Sequence, residues 1–124
     1  MKIHLCNGLH CNMFLLDDIR AEFIPLTKKE FNMILNKNRH RIKSYIGHKQ
    51  LAKRLSVRFN RENTHCEKGD IILIYCGNNR KNADNYENNK IIRMIIYIAG
   101  QDERIGQKEK DLIKNRLMEG IYDY

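Results

Sequence analysis

The stretch Gly69-Asp70-Ile71-Ile72-Leu73-Ile74-Tyr75-Cys76 decides the fold. Its apolar, largely β-branched run has no polar alternation, which suits a central strand buried on both faces, and it is too short for an ordinary helix. Such a strand needs neighbours. Downstream, Ile91 to Ala99 supplies a second buried run. Between the two, Asn78 to Asn89 holds six asparagines and is polar throughout, the composition of a surface loop that closes over a ligand. Upstream, Lys2 to Cys6 alternates polar and apolar residues before the Asn7-Gly8 turn, and Arg20 to Leu26 suits a strand with Pro25 near its end. Thr27-x-x-Glu30 is a capping box, followed by Phe31, Ile34 and Leu35 on one helical face. Lys37 to Lys43 is a basic connector. A second helix is expected from Gly47, with His48 in its first turn, Leu51, Ala52 and Leu55 on its apolar face and no breaker before Asn60. Gln107 to Met118 reads as an amphipathic C-terminal helix. The order ββααββα has no regular βαβ alternation and points to an α+β fold. We therefore expect one domain spanning residues 1–124, a mixed sheet flanked by helices with a C-terminal helix added.

The chain has 124 residues, 42% hydrophobic and 31% charged, a globular composition. No apolar stretch approaches the ~20 residues that cross a bilayer, and Met1 to Leu16 is broken by His4, Asn7, His10 and Asn12, unlike a signal peptide. A cytoplasmic protein with no membrane partner is the expectation, and Cys6, Cys11, Cys66 and Cys76 are then read as thiols. A zinc site could be assembled from Cys6, His10, Cys11, His65 and Cys66, but with no C-x-x-C pair and a single C-x4-C spacing they give no convincing metal spacing. No metal and no cofactor is expected.

The net charge is +8, and it is localised. Lys37 to Arg61 holds nine basic residues and no acidic one, leaving fourteen basic and fifteen acidic residues, a net of −1, for the rest. One anion-facing region follows, for a polyanion or a phosphate compound. Gln50 to Val57 resembles the first helix of a helix-turn-helix, but between Arg58 and Lys68 only Phe59 is a large apolar anchor for a second helix. Duplex DNA is therefore not the expected partner. No Gly-rich phosphate loop or G-x-S-x-G elbow is present, and neither Ser44 nor Ser56 stands in a nucleophile context.

Leu5-x-Asn7-x-x-x-x-Asn12-Met13, then Ile46-Gly47-His48 opening a helix, then Asn60-Arg61 nine residues ahead of Asp70 and its apolar strand, form one ordered set. It resembles the viral ring nuclease family, type III anti-CRISPR phosphodiesterases that bind and cleave cyclic tetra-adenylate. The resemblance covers residues 2–80 and implies a symmetric homodimer with the cyclic oligonucleotide at the subunit interface, in the host cytoplasm. It assigns catalysis to His48 and Arg80 and ligand contacts to Asn7, His10, Asn12, Ile46, Gly47 and Arg61, with a histidine at His10 where the family usually has serine. The family's R-x-x-E motif reads Arg80-Lys81-Asn82-Ala83 here, so the glutamate is missing and Asp84, one position late, is its candidate substitute.

Such chemistry needs no metal. A helix N-terminus offers free N–H groups, so Gly47, His48 and Lys49 are candidates to hold phosphate. A bound phosphodiester favours protonated His48, which would act as general acid toward the departing 5′ oxygen while the neighbouring ribose 2′-hydroxyl attacks phosphorus. Arg61 and Arg80 would stabilise charge. Three functions remain open at this point: a ring-cleaving phosphodiesterase, a sponge that sequesters the ring uncut, and a basic nucleic-acid-binding protein.

Overall fold

The computed structural model describes residues 1–9, 19–77 and 91–121. Five strands and three helices follow in the order β1 (Ile3–Cys6), β2 (Ile19–Pro25), α1 (Lys28–Lys37), β3 (Ile42–Tyr45), α2 (Lys49–Leu55), β4 (Ile71–Cys76), β5 (Ile92–Gly100) and α3 (Gln107–Glu119). They build one mixed sheet in the order β2-β5-β4-β1-β3. β1 runs parallel to both β3 and β4, while β5 is antiparallel to β4 and β2. The fold is α+β with a C-terminal helix, as the sequence indicates.

The central strand behaves as its composition requires. Ile71 to Tyr75 are all buried, with Ile71, Leu73 and Tyr75 packed on the helical face and Ile72 and Ile74 on the opposite one. Phe31, Ile34 and Leu35 of α1, Leu51 and Leu55 of α2, and Ile113 and Leu117 of α3 complete the first core. The second gathers Cys6, Cys66, Ile72, Ile74, Ile96 and Ile98.

Local signals set the element ends. Thr27 Oγ1 accepts from Glu30 N–H at 3.1 Å while Glu30 Oε1 accepts from Thr27 N–H at 2.9 Å, so the capping box is reciprocal. Two departures from the expected order are informative. The basic connector ends in a strand, β3, which inserts a β between the two helices. Ile42-Lys43-Ser44-Tyr45 is four residues long and sits at the sheet edge, so it carries no continuous apolar run to announce it. α2 is also shorter than its pattern. It stops at Leu55 because Ser56 turns into the left-handed region (φ 55°), its N–H closing back on Ala52 and Lys53 carbonyls.

Among the described residues no helix is long and apolar enough to cross a membrane.

Candidate functional site

The topology itself marks a position. β1 lies between β3 and β4 and runs parallel to both, so these strands bring their carboxyl ends to the same edge of the sheet. Ligands of sheets with parallel strands favour that edge. Cys6 of β1 is level with Tyr45 of β3 and Ile74 of β4. Immediately beyond lies a cleft of about 340 Å³ lined by Cys6, Asn7, Gly8, Tyr45, Gly47 and residues 60–64.

Its walls are tied together by hydrogen bonds between segments far apart in sequence. Asn7 Oδ1, at the end of β1, accepts from Gly47 N–H at 3.1 Å. Arg61 Nε donates to Gly47 O at 3.3 Å, and its guanidinium stands 5.3 Å from the centre of the Phe59 ring. Asn60 is buried and fully used: its N–H donates to Ile46 O at 2.9 Å, its Nδ2 to Ser44 O at 3.0 Å, and its Oδ1 accepts from Glu62 N–H at 2.9 Å. Ser44 Oγ completes the lock by donating to Arg58 O at 2.6 Å. The segment 58–62 thus covers the outer edge of β3 and carries Arg61 to the cleft, with the remaining guanidinium nitrogens of Arg61 unbonded among the described residues.

Of the residues singled out by sequence, Asn7, Gly47 and Arg61 come together at the cleft. Ile46 does not present a side chain there, since it is fully buried in the core. His48 follows Gly47 but is not part of the lining; it is exposed and serves as the N-cap of α2, with Nδ1 accepting from Leu51 N–H at 3.2 Å. A ring that accepts at Nδ1 is neutral and carries its proton on Nε2. Of the three N–H groups expected to hold phosphate at this helix start, that of Gly47 is committed to Asn7. Arg61 is the cation that lines the described cleft. His10, Asn12, Arg80 and Asp84 lie outside the described residues.

Beneath the cleft is a buried polar chain that sequence reasoning missed. His4 points to the sheet face opposite the helices, where Nε2 meets Asp70 Oδ2 at 3.1 Å and Nδ1 meets Thr64 Oγ1 at 2.8 Å. Asp70 also accepts from Lys2 N–H at 3.1 Å and Glu67 N–H at 3.0 Å. Burial alone would raise the Asp70 carboxyl, but these N–H groups and His4 together outweigh it and hold it below the usual carboxylate value. His4 moves down from 6.5 because burial disfavours its charged form more than Asp70 supports it, with Lys2 and Lys43 adding repulsion. Cys6 and Cys66 share this side of the sheet, and burial pushes each thiol up to about 12. These are packing thiols rather than nucleophiles. Among the described residues no group of three or more His, Cys, Asp or Glu side chains is placed to hold a metal ion.

No protein-family model and no curated protein matches the sequence. The fold, however, is similar to the solved structure of B116 of Sulfolobus turreted icosahedral virus, with a TM-score of 0.65 over 78% of this chain and 99% of that one. Sequence identity is 17%, so the likeness is one of fold.

Proposed function

We propose that this chain is a viral ring nuclease that binds cyclic tetra-adenylate between two copies of itself and cleaves it, removing the signal of a type III CRISPR defence. The observation that carries the reading is the joining of Asn7, Gly47 and Arg61 at the carboxyl ends of two parallel strands. These are residues the sequence resemblance assigns to ligand contact, and the fold likeness to a viral protein agrees with it. The cleft also suits a nucleotide chemically. Arg61 provides charge for a phosphodiester, and Tyr45, with Lys43 Nζ 5.5 Å over its ring, adds an aromatic side chain to the lining.

In the cleavage step the ribose 2′-oxygen bonds to phosphorus, its proton passing to solvent, and the P–O5′ bond breaks, giving a 2′,3′-cyclic phosphate and a 5′-hydroxyl with no water consumed. His48 would supply the proton to the 5′ oxygen. As the N-cap it is the neutral Nε2–H form, so acting as general acid requires protonation at Nδ1 and release of Leu51 N–H. Loss of such a cap costs about 1 kcal/mol. Arg80 would stabilise charge on phosphorus, Asp84 would take the place of the missing glutamate, and His10 and Asn12 would complete the ligand contacts.

The second reading, a sponge that binds without cutting, is favoured by two particular features. His48 Nδ1 is already spent on the cap, and Ala83 stands where the family's glutamate would be. Incubation of the purified protein with cyclic oligoadenylates of three, four and six units in chelator, followed by chromatography, separates the readings. Linear products ending in 2′,3′-cyclic phosphate support the enzyme, and His48→Ala should then lose cleavage by about 10²-fold or more while still binding. Binding without any product leaves the sponge. Tight duplex binding with no affinity for the rings would mean a basic nucleic-acid-binding protein instead.

A further inference from the structure

The Thr64–His4–Asp70 chain determines which way a hydroxyl in the cleft can point. Asp70 accepts two backbone N–H bonds as a carboxylate, so its contact with His4 requires a proton on His4 Nε2. Neutral imidazole then has an unprotonated Nδ1, which can only accept, and Thr64 must donate its single hydroxyl hydrogen to it. What remains of the Thr64 hydroxyl is lone pairs. His4 and Asp70 are closed to water at 3% and 4% exposure, and Thr64 keeps only the 5% of its surface that meets the cleft, so solvent does not reach the His4 ring to scramble this order. Thr64 is also the one member of the chain that lines the cleft.

We propose that Thr64 is a specificity-determining residue: its oxygen, fixed as an acceptor by His4 and Asp70, reads a hydrogen-bond donor on the bound nucleotide. The donor is a neutral O–H or N–H group, either a ribose 2′-hydroxyl or the exocyclic amine of adenine. Phosphate oxygens, which only accept, are directed away from Thr64 and toward Arg61, so the two sites give the cleft a fixed polarity. A ligand lacking the donor would leave Thr64 oxygen desolvated and unpaired, the situation in which polar sites discriminate most strongly. This inference rests on the proposed nucleotide cleft, and it assigns the part of the ligand that each wall takes.

Two measurements test it. The first needs no ligand: long-range ¹H–¹⁵N NMR of the free protein should show His4 protonated at Nε2 and bare at Nδ1. Protonation at Nδ1 would turn Thr64 into a donor and overturn the proposal even if the rings bind. The second compares the affinity of cyclic tetra-adenylate with its all-2′-deoxy analogue and with an analogue carrying purine, which lacks the amine. Wild type should lose about tenfold or more with one of them, and which one identifies the donor. Thr64→Ser should keep that discrimination and Thr64→Val should abolish it. Thr64→Cys serves if Val unfolds the chain, because its thiol still donates to His4 but accepts poorly. Equal discrimination by wild type and by the Val or Cys variant would reject the role of Thr64. Failure of wild type to bind any cyclic oligoadenylate would instead refute the proposed function, and the selectivity claim with it, while the His4 tautomer stays as measured.

Discussion

His4 occupies a strand position where an apolar residue would be the usual choice, and the cost of burying it is offset by two hydrogen bonds. That arrangement makes stability depend on pH. The fold favours the neutral ring, so in the folded state it titrates below 6.5. As pH falls below 6.5 the unfolded chain takes up the proton first, and stability declines until the folded value is passed. Asp70 acts in the same direction at lower pH. Its folded value lies below 3.8, so its contribution is intact above 3.8 and is lost as pH falls through that lower value. We therefore expect melting temperature to drop in two stages on acidification. His4→Gln, which cannot titrate but keeps an N–H donor, should flatten the stage that begins near pH 6.5 and leave the more acidic one. A wild-type melting temperature constant between pH 7 and 4.5 would contradict this account of His4.

At the scale of the elements, α3 is fastened to α1 by one residue. Asn38, fully buried just past α1, donates through Nδ2 to both Ile34 O and Leu117 O at 2.8 Å, joining the ends of the two helices. An ion pair from Lys114 to Glu30 (2.9 Å) adds to the contact and one from Lys110 to Glu22 (3.6 Å) ties α3 to β2, but as partly exposed pairs they contribute little. Asn38→Ala removes both side-chain bonds while Ile34 O keeps the Asn38 N–H and Leu117 O keeps the Gly120 N–H, so a loss of about 1 kcal/mol is expected in denaturant unfolding. A loss below about 0.5 kcal/mol would show that α3 is held by Ile113 and Leu117 alone. The elements also show what the sequence could and could not convey. β4, β5, α1 and α3 were legible because each announces itself locally, through an unbroken apolar run, a capping box or helical spacing. β3 was not, because an edge strand of four residues inside a basic tract gains its order from pairing with β1. Asn7, Gly47 and Arg61 were legible as members of a spaced motif. Thr64, His4 and Asp70 were not, since they lie 60 and 66 residues apart and only the folded sheet brings them together.

For the molecule as a whole, the charge distribution and the cleft beyond β1 bear on how a ring would be held. Lys37 to Arg61 carries nine basic residues without an acidic one, and β3, α2 and the Arg61 wall all derive from it. One chain offers a cleft of about 340 Å³, the lower end of the range for small-molecule pockets, whereas a cyclic tetranucleotide presents four phosphates and four bases. Two such clefts related by a two-fold axis would match a ring that itself has two-fold symmetry, each taking half of it. The proposed dimer therefore predicts a stoichiometry. Calorimetric titration with cyclic tetra-adenylate should saturate at one ring per two chains, and light scattering of the complex should give twice the 14.8 kDa chain mass. Because phosphate contacts from two basic regions contribute, affinity should fall steeply as salt rises, and Arg61→Ala should reduce that dependence in both halves at once. Saturation at one ring per chain with a monomeric mass would exclude the two-fold arrangement, and the ring would then have to be gripped by a single basic cleft.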